Sequence, residues 1–324
     1  MKLSIFTDQW EMNSPFVTSK ESISHIETIT VCLGSGGVCG RGEALGVDYL
    51  GETPATIMAQ LENVRSEVEA GIGLEEINQL LPPGGARNAL DCAAWDLNAK
   101  LSGKRAWEML EAPSEPVTTV YTLSLDTPQH MAEEALRHAQ FPVLKLKLNQ
   151  HAVIESLKAI REARPDAKLI IDANGSWSRH TLESISDELV ACGVEMVEQP
   201  LAIGKDAQLD GLDYPVTLCA DESCQSTRDL QSLKPYYQMV NIKLDKCGGL
   251  SEAMKMVQWC RENDMKMMVG NMLGSSLAMA PAFIVAQYCR YVDLDGPLWQ
   301  KSDRSSPLEF DGALITRPNS SLWG

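Results

Sequence analysis

The chain has 324 residues, 44% of them hydrophobic, with 28 Lys+Arg against 44 Asp+Glu and a formal net charge of −16. Such a composition supports a large core, and its acidic balance repels nucleic acid and anionic membrane; no basic run with interleaved aromatics offsets it. The length suits an α/β barrel carrying a second, smaller unit, and the most apolar stretch, Leu277 to Ala286, is too short to span a bilayer.

The first sixteen residues, MKLSIFTDQWEMNSPF, lack the apolar centre and the small-residue cleavage site of a signal peptide. His25 to Leu33 alternates apolar and polar residues and reads as a strand, Gly34 to Gly37 as a turn, and Val38 to Ala44 as a returning strand. GSGG followed by VCG approaches a dinucleotide fingerprint, but the third glycine is misplaced and no helix follows, so a hairpin is the better reading. Thr53 caps a helix beginning at Pro54, with Ile57, Leu61, Val64 and Val68 on one face. Pro82-Pro83-Gly84-Gly85 breaks the chain, and a second helix follows with Ala89, Leu90, Ala93, Ala94, Leu97 and Leu101 turned inward. Strands followed by helices predict an α+β unit over 1–113.

From Pro116 the pattern changes. Short apolar runs at 117–125, 143–148, 169–174, 196–200, 217–223, 239–245, 265–271 and 291–296 alternate with amphipathic helical stretches at roughly 20- to 27-residue spacing, the length of one βα unit. Eight such units with no topological break predict a TIM-type (β/α) barrel over 114–297 rather than a doubly wound open sheet, with 298–324 as a C-terminal segment. The nine cysteines are odd in number and contain no Cys-x-x-Cys, and the five histidines do not cluster. That usage predicts buried, reduced thiols in a cytoplasmic protein and no zinc site.

In a barrel of this kind chemistry lies at the C-terminal strand ends. Those ends carry Lys145 and Lys147, then Asp172, Glu198, Asp221 and Lys243, then Asp293 and Asp295. Each has an ordinary explanation. A lone strand lysine is usually solvated, Asp172-Ala173-Asn174-Gly175 and Asp295-Gly296-Pro297 resemble turns, and Glu198 before Gln199-Pro200 could cap the next segment. Six independent accidents, on strands two to six and eight, are harder to accept. Period-two alternation puts Lys145 and Lys147 on one face. Three neighbouring carboxylates repel unless a cation sits between them, and an all-oxygen set with room for substrate and water suits Mg²⁺. A metal against a substrate carboxylate stabilises the dianion formed when the α-proton leaves. Free lysine titrates near ~10.4, so the base needs a lowered pKa, which neighbouring positive charge and burial would supply. Lysines on strands two and six face each other across the barrel mouth, and two opposed bases imply inversion of a stereocentre.

The segments KLKL around Lys147, DAN at Asp172, EQP at Glu198, ADES at Asp221 and NIKLDKCGG around Lys243 together resemble the enolase superfamily, in its muconate-lactonizing-enzyme-like subgroup. The resemblance covers nearly the whole chain. It implies an enolase-like modified barrel, an N-terminal capping domain over 1–113, a C-terminal tail returning to the cap, Mg²⁺ on Asp172, Glu198 and Asp221, and Lys147 and Lys243 as the acid/base pair. It implies that Lys145 positions the substrate carboxylate and tunes Lys147, and it implies a homo-oligomer. DLDG (293–296) and ARNALDCAAWDL (86–97) resemble the dipeptide epimerases, of which the L-Ala-D/L-Glu epimerases are the relatives in view. There the Asp-x-Asp pair, here Asp293 and Asp295, binds the dipeptide's α-ammonium group.

One departure bears on specificity. Glutamate-specific members carry an arginine in the loop after the first strand. Here the segment Phe16 to Ile26 has Ile23 at about that place and Lys20 as its only cation, so the resemblance leaves open whether glutamate, met by Lys20, or a different side chain is preferred. Lys20, Ile23 and Tyr49, with Leu50 beside it, are the candidate substrate contacts. Within the subgroup, o-succinylbenzoate synthase-type elimination, cycloisomerisation and N-acylamino-acid racemisation use the same lysines and metal, but their substrates bring no ammonium group for Asp293 and Asp295. Mandelate-racemase chemistry needs a histidine base late in the barrel, and the last histidine is His180. A metal-binding barrel without turnover is the alternative from another class.

Overall fold

A computed structural model describes residues 1–324. It opens with an antiparallel sheet of three strands, Lys2–Val17, Ser22–Ser35 and Val38–Ala44. The first two form a hairpin longer than the alternation at His25 to Leu33 indicates, in register from Lys2↔Gly34 to Val17↔Ser22 with a bulge between Glu11 and Phe16. Its tip carries Lys20 and Ile23 towards the barrel.

The third strand reads VCGRGEA, and its glycines explain how the sheet is covered. A Cβ on Gly40 would lie 2.2 Å from the Ala93 carbonyl oxygen, and one on Gly42 2.2 Å from that of Ala89. The helix Gly85–Ser102 therefore rests directly on the strand, glycine against alanine. Thr53 caps the helix Pro54–Asn63 through a reciprocal pair with Thr56, as its position before Pro54 implies. That helix ends sooner than expected. Val64 leaves the helical region, and Val68 falls in a separate helix, Arg65–Gly71. The four apolar side chains of the expected face still share one core with Ala89, Leu90 and Leu97.

The barrel strands are Tyr121–Leu123, Val143–Lys147, Lys168–Asp172, Val194–Glu198, Thr217–Ala220, Met239–Ile242, Lys266–Val269 and Tyr291–Val292, parallel and in sequential order. A bond from Val120 N–H to the Val292 carbonyl (2.8 Å) joins the two ends of the sheet. Inside, Val120, Ile170, Met196, Cys219, Met239, Met268 and Tyr291 form a small apolar plug. Two residues further along each strand the inward face turns polar: Thr122, Asp172, Glu198, Asp221, Asn241 and Asp293, with Gly270 on the seventh. The period-two rule therefore seals the bottom of the barrel and leaves chemistry at the top. Two of the eight units lack an α-helix: Asp206–Leu209 and Gly296–Trp299 are single 3₁₀ turns. The stretch after Glu198 is rich in Gly, Asp and Pro and has no helical apolar stripe to bury.

The chain then runs back over the N-terminal sheet. Arg304 bonds Asp8 at 2.9 Å and Glu43 at 2.5 Å, Trp323 donates to the Cys92 carbonyl at 3.0 Å, and Gly324 N–H donates to Asp96 at 2.8 Å. Cys32 and Cys39 correct the expectation of nine free thiols. The turn between their strands brings their Cα atoms to 6.1 Å, and they are bonded. The other seven are free, all buried except the half-buried Cys289, so cysteine usage does not fix the compartment. No helix is long and apolar enough to cross a membrane.

Asp245 joins the N-terminal unit to the barrel by accepting from Gly46 N–H at 2.8 Å. Burial, with Glu52 and Glu43 nearby, pushes its carboxyl up to about 7. A carboxyl whose folded pKa exceeds its unfolded value holds its proton longer in the folded state. Stability from this group is therefore fully present below about pH 4 and lost as pH rises towards 7. Asp245→Asn keeps an acceptor for Gly46 without the titration. Its melting temperature relative to wild type should rise by a few degrees between pH 4.5 and pH 8, as measured by calorimetry.

Candidate active site and metal centre

The three carboxylates read from the sequence converge. Asp172, Glu198 and Asp221 are almost completely buried, and each offers an oxygen within 4.8 Å of the others'. Asp172 and Glu198 end their strands, while Asp221 and Lys243 stand one residue beyond theirs, as do Asp293 and, further on, Asp295 beyond Val292. Strained backbone follows two of the carboxylates. Asn174 and Gln199 are in the left-handed region at φ 46° and 36°. Asn174 N–H donates to Asp172 at 3.0 Å, and the Gln199 amide oxygen accepts from Asp221 N–H at 2.9 Å.

The lysines surround this cluster. Lys145 Nζ lies 3.1 Å from Asp172, 2.8 Å from Glu198 and 2.8 Å from Asp293; Lys147 Nζ is 2.7 Å from Asp172; Lys243 Nζ is 2.8 Å from Asp221. Sequence reasoning passed over Lys246, in the same NIKLDK run as Lys243. It is fully buried and reaches Asp221 Oδ1 at 2.6 Å and the Asn241 carbonyl at 3.0 Å. A lysine that ends a helical turn after a strand gives no sign in sequence that it folds back under the site.

Charge balance explains the pKa pattern. Burial would raise Asp172, but Lys147 and Lys145 outweigh it and hold the carboxyl far below its usual range; Lys243 and Lys246 do the same for Asp221. Glu198 goes the other way. Burial, with the Asp172 charge, pushes it up to about 8 despite Lys145. Its Oε2 is buried and makes no hydrogen bond, although Lys145 is at ion-pair distance. The donor set is all carboxylate oxygen, and the ammonium groups present do not fully neutralise it. Both features fit a hard divalent cation.

The lysines correct one expectation. Burial does push Lys243 and Lys145 down, but the facing carboxylates outweigh it and both are shifted upward. A neutral amine therefore needs another cation to take up the carboxylates, not burial alone.

The cluster opens into a cavity of about 570 Å³, lined also by Lys20, Ile23, Tyr49, Asn174, Glu222 and Met272. The hairpin tip closes over it: Phe16 stands 5.8 Å from Lys147 Nζ. Lys20 is half exposed, pairs with Glu222 at 3.3 Å and lies 5.4 Å from the Tyr49 ring. The Tyr49 hydroxyl accepts from Gln225 at 3.3 Å, and burial raises its pKa to about 12. Leu50 is exposed and does not line the cavity. Asp293 accepts from Lys145 and, at 3.3 Å, from Asn271. Asp295 accepts from Thr122 N–H at 2.7 Å, and burial with the Asp293 charge pushes it up to about 7.

Residues 129–320 match the model of the enolase C-terminal domain-like family, and 1–110 that of the mandelate racemase / muconate lactonizing enzyme N-terminal domain. The chain belongs to the mandelate racemase / muconate lactonizing enzyme family. Within this family it is 40% identical over 311 residues to an L-Ala-D/L-Glu epimerase of Escherichia coli K12, covering 95% of this chain and 97% of that one. It is 44% identical over 251 residues to an N-acetyl-D-glutamate racemase of Pseudoalteromonas sp., covering 78% and 80%. Among solved structures it superposes with TM-score 0.97, 40% identity and 99% coverage of both chains on an enolase family member from Agrobacterium tumefaciens with homology to dipeptide epimerases, which holds sodium and L-Ala-L-Glu. A dipeptide epimerase of Enterococcus faecalis complexed with Mg and L-Leu-L-Tyr matches with TM-score 0.91 and 26% identity over 98% of this chain and 97% of that one. The family's barrel with its N-terminal α+β unit is the fold described above.

Proposed function

We propose that the chain is a Mg²⁺-dependent dipeptide epimerase that inverts the α-carbon of the C-terminal residue by two-base proton transfer. The observation that carries this reading is the arrangement of one lysine on each side of a buried three-carboxylate cluster. Asp172, Glu198 and Asp221 would hold the metal, which when bound offers a Lewis acid to the substrate carboxylate and so favours the enolate. Lys147 and Lys243 stand on the second and sixth of eight strands, half the barrel apart. One, as the neutral amine, takes the α-proton from one face of the carbon. The other, as the ammonium, delivers a proton to the opposite face, and the two protonation states are exchanged at the end of the turnover. Lys145, on the same strand face as Lys147, keeps positive charge beside the carboxylates. Asp293 and Asp295 crowd two carboxyls together, and a substrate ammonium between them relieves the repulsion that raises Asp295.

The side chain at the inverted carbon sits under the hairpin tip, against Ile23, Lys20 and Tyr49. Lys20 is paired with Glu222, and Glu21 and Asp48 stand close enough to raise the Glu21 pKa together with burial, so an acidic side chain meets one shared cation there. A screen of L,L-dipeptides in D₂O, read by mass shift, identifies the pair of residues accepted. A cytoplasmic homo-oligomer with no nucleic-acid partner belongs to the same proposal, and light scattering on the purified chain checks the assembly.

A second reading, N-acylamino-acid racemisation, is favoured by two observations: the 44% identity to an N-acetyl-D-glutamate racemase, and the hydrogen bonds that Asp293 and Asp295 both already accept from the protein. The two readings separate on substrate charge. A charged hydrogen bond contributes roughly 1.5–3 kcal/mol, so a free dipeptide should exceed the matching N-acetyl amino acid about 10- to 100-fold in kcat/KM. Asp295→Asn should narrow that ratio. An N-acetyl substrate that outpaces every dipeptide would favour the second reading.

A further inference from the structure

Asn241 lies on the inward face of the sixth strand, two residues before Lys243, and is completely buried. Its Nδ2 donates to Glu198 Oε1 at 2.7 Å. Its Oδ1 is buried and has no hydrogen-bond partner. The side chain is therefore held by a single hydrogen bond, the one to Glu198, and by what it packs against. On the neighbouring strand it packs against Gly270. A Cβ added there would lie 2.7 Å from both Asn241 Oδ1 and Nδ2. The backbone of Gly270 is not in the left-handed region, so the absence of a side chain serves space, not conformation.

We infer that Asn241 is a positioning residue for the metal centre and that Gly270 is the gap that lets it work. Asn241 fixes Glu198 Oε1, which leaves Oε2, buried without a hydrogen bond and 2.8 Å from Lys145 Nζ, as the atom for the cation. Glu198 needs this more than its neighbours do. Asp172 is fixed by Asn174 N–H and two lysines, and Asp221 by Lys243 and Lys246, whereas Glu198 has one lysine, Lys145 on Oε2 at 2.8 Å, and Asn241 alone on Oε1. Outer partners of this kind typically change metal affinity 10- to 100-fold when removed. A methyl at position 270 displaces the far end of the Asn241 side chain and so weakens the metal site without altering a polar group. The inference rests on the assignment of Mg²⁺ to these three carboxylates.

The test is a double-mutant cycle read by titration calorimetry of Mg²⁺ into the metal-stripped full-length chain. Asn241→Ala should raise the Mg²⁺ Kd by roughly 10-fold or more, and Gly270→Ala by several-fold. The double variant should bind no more weakly than Asn241→Ala alone, because Gly270 acts only through the amide it would displace. In turnover assays, saturating Mg²⁺ should restore most of kcat in Gly270→Ala, which general destabilisation of the fold would not allow. Unchanged Kd in both single variants overturns the inference while leaving the metal assignment intact. Fully additive effects overturn the link through Gly270. A wild-type chain that binds no Mg²⁺ overturns the metal assignment and this inference with it.

Discussion

Lys147→Ala abolishes epimerisation, with kcat lowered by about 10³-fold or more, while the protein stays folded. Each opposed amine acts once per inversion, so removing one leaves no route to the other epimer, and general acid/base groups are typically worth 10²–10⁴-fold. The fold survives because the group left behind is not stranded: Asp172 still has Lys145 at 3.1 Å and Asn174 N–H at 3.0 Å. The variant also has a distinctive residual activity. Lys243 is untouched, so the epimer whose α-proton faces it should still exchange that proton with solvent, without inverting. Chiral chromatography and proton NMR on the same sample separate the two behaviours. Undiminished inversion would remove Lys147 from the mechanism.

Exhaustive chelation should remove activity, and added Mg²⁺ should return it. The physical cause is the charge balance of the site. The lysines answer Asp172 and Asp221 but leave Glu198 raised to about 8, and the facing carboxylates shift Lys145 and Lys243 upward in turn. Asp172, Glu198 and Asp221 would hold a divalent cation whose charge would take over that neutralisation, leaving an amine free to act as base. Asp221→Asn should reproduce the loss, at roughly 10³-fold in kcat/KM and about 10- to 100-fold in Mg²⁺ affinity. It removes an anionic oxygen from the cluster and the partner of both Lys243 and Lys246. Full turnover by metal-free protein would contradict the assignment of the carboxylates.

Much of this site is legible because a barrel strand obeys a two-residue rule. Once Val143, Lys145 and Lys147 are read as one face, the position of the KLKL lysines follows, and the carboxylates at the next three strand ends follow by the same count. The alternation stops being informative where the chain leaves the sheet. Lys246 lies past the strand on the short helix Leu244–Cys247, and only the fold returns it to Asp221. Asn241 is the opposite case. It sits on the same inward face as Lys243 and was within reach of the rule, but an uncharged side chain two residues before a lysine attracts no notice until Glu198 is seen beside it. The Cys32–Cys39 bond escaped for a different reason: cysteine counts describe a compartment, while pairing depends on strand register. The helix from Pro54 was right in its start and wrong in its length, since its apolar stripe continues through the break at Val64.

Specificity is the least legible part. Ile23, Lys20 and Tyr49 meet only because the hairpin tip folds over the barrel mouth, and their partners Glu222 and Gln225 come from the segment after the fifth strand. No local pattern links residues that far apart in sequence. What a side chain at the substrate's second position encounters is a product of how the N-terminal sheet is docked, which the Gly46–Asp245 bond and the Arg304 contacts hold at a distance.

The most direct measurement is the isotopic course of the Mg²⁺-loaded enzyme acting on an accepted L,L-dipeptide in D₂O, followed by NMR at low conversion. Transfer between two amines on opposite faces predicts one deuterium at the α-carbon of every inverted molecule, because the hydrogen that one amine removes is not the one that the other delivers. Inverted product that keeps its original hydrogen would contradict it.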